Sequence, residues 1–201
     1  YLSVAESLRH AGYENGCKVD IRWIDSEEIT DENAAEILEE CDGIIVPGGF
    51  GGRGIEGMVS SARYARENNV PYFGICLGMQ IAVIEYARHV LGLKNANSSE
   101  FDKDCPCVID LMPDQHGNIP MGGTMRLGAY PCRVKEGTLL EKCYGANEVQ
   151  ERHRHRYEFN NNYRQTFEQS GMVFGGLSPD GRLVEEVELP QNDFYLGVQS
   201  H

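Results

Sequence analysis

A cysteine lies between two glycines in PYFGICLGMQ, residues 71–80. The apolar run PYFGI is typical of a buried strand, and the segment that begins at residue 81, IAVIEYARHVLG, has the apolar spacing of a helix. A strand that turns directly into a helix through Gly-x-Cys-x-Gly is similar to a nucleophile elbow, where flanking glycines let neighbouring backbone come close. The alternative is that Cys76 is a small buried residue at a strand end.

Strand and helix patterns alternate around this stretch, which predicts a parallel sheet covered by helices on both faces. A first helix carries Val4, Leu8 and Ala11 and is capped at Gly12, and another carries Ala34, Ile37 and Leu38 after a cap at Thr30 or Asp31. The other predicted elements are strands at 18–24, 43–46 and 71–75, a helix at 55–67, and strands at 125–134, 172–177, 182–189 and 194–200.

We therefore expect one domain over residues 1–201, with the fold class α/β: a three-layer, mostly parallel open sheet with helices on both faces. The strands of the second half are separated by tight turns, which predicts an antiparallel extension of the same sheet. Residues 95–124 are polar and rich in turn formers, and we interpret them as a loop or lid.

The composition excludes several classes of partner. Eighteen basic against 31 acidic residues give a net charge of −13, which repels phosphate backbones and anionic membranes, so we expect no nucleic acid and no membrane as partners. Seven cysteines, without the paired spacing of a disulfide framework, favour a reducing, cytoplasmic location.

The elbow gives Cys76 a predicted chemistry. Gly74 and Gly78 make room around it, and the helix behind it would place the sulfur at a helix N-terminus, where the dipole and free N–H groups favour the thiolate. We expect an exposed thiol with a lowered pKa, that is, a nucleophile.

A thiolate that attacks a carbonyl needs backbone N–H groups for the oxyanion. PGGFGGRG, residues 47–54, follows a predicted strand and supplies them, with Gly49 as the predicted donor. A phosphate-binding loop is the alternative, but the Gly-Lys-Ser/Thr ending of a P-loop is missing. His201 follows the last predicted strand and is the candidate base. Its alternative interpretation is an ordinary chain-end histidine. His153 and His155 are rival candidates for the base.

Six segments carry a family resemblance. GICLGMQ, PGGFG and GVQSH, in their positions along the chain, resemble the class I glutamine amidotransferases. NANSSEF (95–101), GGTMRLG (122–128) and ERHRHRYEFNN (151–161) are similar to the branch that forms the glutaminase domain of CTP synthase. The resemblance covers essentially the whole chain and implies a flavodoxin-like sheet and an enzyme that hydrolyses L-glutamine.

The resemblance also implies residue roles. Cys76 would attack the side-chain amide of glutamine to form a glutamyl thioester and release ammonia, while His201 shuttles the proton. Gly49 and Leu77 would form the oxyanion hole, Glu100 would hold the substrate ammonium group, and Arg156 would lie near its carboxylate, which suits a free amino acid with one charge of each sign. The implied lining of the substrate pocket is Gly49, Leu77, Gly78, Met79 and Gln80.

Several of these features have plainer interpretations. Glu100 could be a solvated surface acid, and RHRHR (152–156) a basic turn or a nucleic-acid patch. Cys105-Pro106-Cys107 lacks further ligand pairs, so we predict no metal. Thr124, Met125 and Arg126 could be strand residues only, although the family uses this segment as a lid that responds to the allosteric activator GTP.

The chain also departs from the family pattern. The family has a strand before the first helix, but no strand pattern precedes the helical segment YLSVAESL here. The family's third catalytic residue is a glutamate two positions after the histidine, a position that falls beyond His201, and Ser200 replaces an aromatic residue that is common before the histidine. The resemblance also implies an amidoligase (synthetase) domain, which uses ATP and Mg²⁺ to convert UTP to CTP; since residues 1–201 contain no phosphate-binding lysine loop, we expect that domain to lie outside this segment. We therefore expect ammonia and glutamate as products, no cofactor in this domain, the synthetase domain as partner, and a homotetramer for the full enzyme.

Two other functions stay open at this point. One is an amidotransferase-like module that has lost activity and serves as a sensor or docking partner. The other is a cysteine hydrolase of similar fold that acts on peptides or other amides, against which the predicted pair of opposite charges at Glu100 and Arg156 argues.

Overall fold

A computed structural model of the chain describes residues 1–112 and 125–201. The helices are α1 (Leu2–Glu14), α2 (Ala34–Leu38), α3 (Ile55–Glu67), α4 (Leu77–His89), α5 (Leu139–Tyr144) and α6 (Arg164–Ser170). The strands are β1 (Ile44–Val46), β2 (Tyr72–Ile75), β3 (Asn97–Ser98), β4 (Cys107–Asp110), β5 (Arg126–Val134), β6 (Glu148–His155), β7 (Glu158–Phe159), β8 (Val173–Leu177), β9 (Val184–Glu188) and β10 (Tyr195–Val198).

Within residues 1–112 and 125–201, seven strands form the main sheet in the order β1-β2-β10-β9-β8-β5-β6. β1, β2 and β10 are parallel, and the rest of the sheet is antiparallel. The α/β prediction with an antiparallel extension is confirmed, with two corrections. The main sheet is mixed and not mostly parallel, because among the described residues two of its strand pairings are parallel and four are antiparallel. β10 does not belong to the extension alone, because it pairs in parallel with β2 and so continues the strands of the N-terminal half.

Alternate residues of the central strands face two cores. Tyr72 and Tyr195 stack on each other in the core beneath α3 and α4, whereas Phe73 and Leu196 pack in a second core with Leu140 of α5. Since successive side chains of a strand point to opposite faces, this alternation means that both faces of the sheet are covered.

Glycines bring α4 unusually close to the sheet. A Cβ atom at Gly78 would overlap the backbone carbonyl of Val46 in β1, and one at Gly197 in β10 would lie 2.9 Å from the Cα of Met79. Gly74 meets the backbone of Gly78 in the same way. The glycines of the elbow therefore make room mainly for the helix, which places its first turn directly on the ends of β1, β2 and β10.

Two predictions for the N-terminal region are wrong. Gly12 does not end the first helix; it is buried inside α1, where a Cβ atom would lie 2.8 Å from the carbonyl of Cys17 and from Val19. Residues 18–24 alternate as a strand should, but they form no strand, since pairing with a neighbouring strand, and not the alternation, creates the ladder. In addition, the N-cap of α2 is Asn33 and not the predicted Thr30 or Asp31, although the Thr30 hydroxyl accepts a hydrogen bond from the Asn33 backbone N–H at 3.3 Å.

The interpretation of residues 95–124 as a loop is wrong in its first part. β3 and β4 lie in this range and form a small sheet with β7 in the order β3-β4-β7. Thr124 and the rest of 113–124 lie outside the described residues. In the described parts of the chain, no helix is both long and apolar enough to cross a membrane.

Candidate active site

Cys76 occupies a strained turn between β2 and α4. Its backbone has φ 54° and ψ −103°, a conformation that residues other than glycine rarely adopt. The Cys76 N–H donates to the carbonyl of Val198, at the end of β10, over 2.7 Å. The elbow predicted from Gly-x-Cys-x-Gly is therefore present, and hydrogen bonding to β10 holds it.

The surroundings of the sulfur differ from the prediction. Cys76 is 3% exposed, and burial raises the pKa of its thiol to about 11, although hydrogen bonds from the Leu77 backbone and from Gln199 lower it. The predicted exposure and the predicted lowered pKa are both wrong. The helix N-terminus supplies the expected N–H donor, but the loss of water around the sulfur outweighs it. The resting group at neutral pH is thus a thiol.

The glycine-rich loop covers this thiol. A Cβ atom at Gly48 would overlap the imidazole of His201 and would lie 3.4 Å from the Cβ of Cys76, so both side chains face the same glycine. A Cβ atom at Gly49 would lie 3.5 Å from the side chain of Leu77. The fold thus brings together four of the predicted site residues, from three separate segments of the chain.

The side chain of His201 is exposed, and its backbone is bound to a strand of the main sheet. Its backbone N–H donates to the carbonyl of Arg152 in β6 over 2.8 Å. The rival bases His153 and His155 are both 3% exposed and are bound to each other, with 2.8 Å between their ring nitrogens. Of the three histidines, it is the ring of His201 that lies against Gly48 beside the thiol.

The predicted substrate-binding charges also come close to the glycine loop. Glu100 accepts a hydrogen bond from the backbone N–H of Gly51 over 3.2 Å. Partial burial raises the pKa of Glu100, and the Gly51 hydrogen bond and the positive charge of Arg156 oppose that rise. Glu100 is therefore not a freely solvated surface acid, and Arg156 is near enough to act on it electrostatically.

The residues after Cys76 have different roles in the packing. Met79 is fully buried and packs against Gly197, so its side chain belongs to the core. The Gln80 amide is 3% exposed and donates to the carbonyl of Tyr157 over 3.2 Å and to Gln199 Oε1 over 3.3 Å. Gly78 contributes its backbone, whose carbonyl accepts a hydrogen bond from the Tyr72 hydroxyl over 2.7 Å.

A group of buried ionisable side chains, which we call the ionic cluster, includes Glu158, a residue near enough to Cys76 to act on the pKa of its thiol. Both guanidinium Nη atoms of Arg126 contact Glu185 at 2.8 Å, and one contacts Glu158 at 3.2 Å. His153 and His155 complete it, with nitrogen-to-oxygen distances of 3.3 Å to Glu185 and 3.4 Å to Glu158. All five side chains are at least 89% buried.

The pKa values of the two carboxyl groups in the ionic cluster are shifted in opposite directions. Despite burial, the two hydrogen bonds from Arg126 lower the pKa of Glu185 to about 2, while burial raises the pKa of Glu158 to about 8. Burial, together with His153 and Arg126, lowers the pKa of His155 to about 3. The cluster is thus built around one ion pair, Arg126 with Glu185, beside a protonated Glu158 and a neutral His155 at neutral pH.

The prediction of no metal remains a prediction. The sulfurs of Cys105 and Cys107 lie 2.7 Å apart, but residues 1–112 and 125–201 contain no group of three or more His, Cys, Asp or Glu side chains placed to hold a metal ion. Met125 and Arg126 of the predicted lid are described, and Arg126 is a member of the ionic cluster.

Sequence reasoning missed two residues of the site. Gly48 separates Cys76 from His201, and the side-chain amide of Gln199 contacts the sulfur at 3.8 Å. Both stand in segments predicted to contribute to the site, PGGFGGRG and GVQSH, so their positions one or two residues from a predicted site residue were available as a signal. Their contacts depend on how β1, β2 and β10 align, which the sequence does not display.

Comparison with known proteins agrees with this geometry. Residues 1–201 match the family described as glutamine amidotransferase class-I. CTP synthases of Staphylococcus saprophyticus and Staphylococcus aureus are 61% identical over 202 aligned residues, which include all of this chain and 38% of theirs. The chain thus spans about two fifths of the length of these curated relatives.

Solved structures give the same result. The glutaminase domain of Trypanosoma brucei CTPS, with bound acivicin, superimposes with a TM-score of 0.94 and 40% identity, covering all of this chain and 79% of that one. A glutamine amidotransferase from Thermotoga maritima has a TM-score of 0.57 at 15% identity, over 96% and 68% of the two chains, and shows a shared fold alone. The chain belongs to the class-I glutamine amidotransferase family, and throughout its length it is similar to the glutaminase domain of CTP synthase.

Proposed function

We propose that this chain is the glutaminase domain of a CTP synthase, which hydrolyses the side-chain amide of L-glutamine to glutamate and ammonia. The observation that carries the proposal is the strained elbow that holds Cys76 against Gly48 and His201. A cysteine is kept in such a backbone conformation only where the surrounding structure imposes it, and such positions cluster at active sites. The match to the CTPS glutaminase structure supports this substrate over peptides.

Glutamine would bind through its two charges. Its ammonium group would pair with Glu100 and its carboxylate with Arg156, which would direct the side-chain amide toward Cys76. A substrate held at both ends loses its rotational freedom before the reaction, which is a large part of what an enzyme contributes. The backbone N–H of Gly51 already fixes the Glu100 carboxylate at 3.2 Å, so the acidic partner is pre-positioned.

The attack would be coupled to proton transfer. Because the resting Cys76 is a thiol with a raised pKa, His201 would take its proton as the sulfur bonds to the amide carbon. The oxyanion would receive N–H groups of Gly49 and Leu77. His201 would then protonate the leaving nitrogen, ammonia would depart, and water would hydrolyse the thioester to glutamate and the free thiol.

In the whole enzyme, the ammonia would pass to a synthetase (amidoligase) domain of the same polypeptide. The Staphylococcus relatives are CTP synthases, and this chain matches 38% of their length, which supports residues 1–201 as a single domain of a longer protein. ATP, Mg²⁺ and UTP would be bound by the synthetase domain, GTP would act as allosteric activator, and the full enzyme would be a homotetramer. Seven free cysteines support a cytoplasmic location.

The test is glutamine-dependent ammonia release together with labelling by a glutamine-derived diazoketone. We expect one adduct, on Cys76, and loss of ammonia release by at least about a thousandfold in Cys76→Ala, since a covalent nucleophile has no substitute here. The Cys132→Ala chain, which loses another buried thiol, serves as the matched control and should keep its activity. Undiminished ammonia release by Cys76→Ala would refute the proposal. Peptide cleavage without glutamine turnover would also contradict it and would favour a cysteine hydrolase of similar fold that acts on peptides.

A further inference from the structure

Gln199 contacts the sulfur of Cys76 from a fixed position. It follows β10 directly, it is completely buried, and its backbone N–H donates to the carbonyl of Glu185 in β9 over 2.9 Å. Its Nε2 lies 3.8 Å from the sulfur. The residue before it, Val198, holds the Cys76 backbone N–H at 2.7 Å, so the end of β10 binds both the backbone and the side chain of Cys76.

The orientation of the Gln199 amide is determined by a chain of hydrogen bonds. The carbonyl of Tyr157 can only accept, so Gln80 must direct its NH₂ group there, at 3.2 Å. The same NH₂ group donates to Oε1 of Gln199 at 3.3 Å. With its oxygen thus committed, Gln199 can present only its N–H donors to the sulfur. Both hydrogens of the Gln80 amide are used in this arrangement, and neither amide is free to flip.

The hydrogen bond from the Gln199 amide becomes stronger when the sulfur ionises. A hydrogen bond to a charged acceptor is about twice as strong as one to a neutral acceptor, so an N–H that faces sulfur stabilises the thiolate more than the thiol. Burial works in the opposite direction at Cys76, and the Gln199 hydrogen bond partly offsets it. The Leu77 backbone N–H also contacts the sulfur, but in the proposed mechanism it serves the oxyanion once attack begins.

We propose that Gln199 is a positioning residue, whose buried amide, oriented by Gln80 and Tyr157, holds the Cys76 sulfur in place and stabilises it while it is a thiolate. The proposal rests on the proposed function, in which the sulfur gains thiolate character as it loses its proton to His201 and attacks glutamine. It also links the two parts of the site: Tyr157 is adjacent to Arg156, the residue proposed to hold the substrate carboxylate.

The decisive comparison is Gln199→Glu. Glutamate has the shape of glutamine, so access to the sulfur and packing are kept, but an ionised carboxylate offers no donor and repels a thiolate. We measure alkylation of Cys76 by iodoacetamide between pH 6 and 9, followed through the mass of the peptide that contains it. Between pH 7 and 9, we expect alkylation to slow by at least about tenfold, because one pKa unit changes the thiolate fraction tenfold. The added charge alone would slow alkylation even at a residue that only packs, so comparison with Gln199→Leu, which adds no charge, isolates the contribution of the native amide donor.

Gln199→Leu removes the donor without adding charge, and we expect a smaller reduction in the alkylation rate, of about twofold to tenfold. Gln80→Leu, which releases the Gln199 amide from its fixed orientation, provides a third variant if either of the others fails to fold by circular dichroism. Gln165→Glu and Gln165→Leu, on the exposed face of α6, are matched controls and should alkylate like the parent chain. Parental rates in folded Gln199→Glu would overturn the proposal.

Glutamine kinetics add a second readout. Because Gln199 contacts the sulfur and not the proposed substrate charges, we expect kcat to fall about tenfold or more while KM changes little. A rise in KM at constant kcat would count against a positioning role. Alkylation requires no glutamine, so the two proposals can fail separately: ammonia release by Cys76→Ala refutes the glutaminase, whereas unchanged alkylation of folded Gln199→Glu refutes the role of Gln199.

Discussion

Two buried polar regions lie on opposite sides of β10, and they are built in different ways. The elbow follows β2: Cys76 lies between glycines that let α4 approach the sheet, and the hydrogen bond from its N–H to Val198 of β10 holds the strained turn. The ionic cluster lies on the other side, where Glu185 of β9 meets Arg126 of β5 and the histidines of β6. No local pattern in the sequence indicates that meeting.

The two regions should respond differently to substitution. The elbow stores backbone strain, so changes there affect conformation and chemistry but leave few buried groups without partners. The cluster holds charges that burial penalises, so removal of one partner leaves the other buried and uncompensated. We therefore expect the cluster to dominate stability and the elbow to dominate activity, and four predictions test this contrast.

The largest effect on stability is expected from Arg126→Met. The cation holds Glu185 through two hydrogen bonds of 2.8 Å, and without it the buried carboxylate keeps only its 3.3 Å contact with His153 among the members of the cluster. Breaking a buried pair costs about 3–5 kcal/mol, measurable as the free energy of unfolding in urea. Arg154→Met, at an exposed position of β6, is the matched control. Equal stability of the two variants would mean that the cluster is not a source of stability.

The second prediction concerns acid. The pKa of Glu185 is lowered from 4.5 to about 2, so its contribution to stability is complete above about pH 4.5 and is lost as pH falls toward 2. We expect the difference in free energy of unfolding between the parent and Glu185→Gln to shrink by about 3 kcal/mol over that range, since each pKa unit is worth about 1.4 kcal/mol. A difference independent of pH would show that Glu185 is not held ionised.

The third prediction addresses the strain at the elbow. At φ 54° and ψ −103° an alanine is strained but a glycine is not, so we expect Cys76→Gly to be more stable than Cys76→Ala by about 1–2 kcal/mol. Thermal unfolding of the two inactive chains measures this difference. In the interior of α4 the order should reverse, with Ala82→Gly destabilising the chain. If glycine is the less stable residue at position 76 as well, the turn is not strained.

The smallest effect is expected from Glu158→Gln. Burial raises the pKa of Glu158 to about 8, so at pH 7 its carboxyl group is mostly protonated, and an amide of the same shape replaces a neutral group. We expect a change of less than about 1 kcal/mol in the free energy of unfolding at pH 7. A loss as large as that of Arg126→Met would show instead that Glu158 is ionised and shares the cation with Glu185.

Sequence reasoning succeeded where the cause of structure is local. Apolar spacing gave α3 with its observed limits, and the strand-glycine-cysteine-helix order gave the elbow. It failed at residues 18–24, which alternate in polarity but do not pair as a strand in the described part of the chain. It also missed β6, whose sequence EVQERHRH has the polarity of a surface loop. Strand formation depends on a partner that is distant in sequence, so alternation and polarity are weak guides there.

The chemical identity of the site residues was visible in the chain: a cysteine at a glycine-flanked turn, a glycine-rich loop and a histidine after a strand. The state of those groups was not. Burial, which raises the pKa of Cys76 to about 11, and the Gln199 amide, which faces its sulfur, both arise from the parallel alignment of β10 with β2. Residue types follow from the sequence, but desolvation and hydrogen bonding depend on neighbours more than a hundred residues away, and only the folded sheet brings those neighbours together.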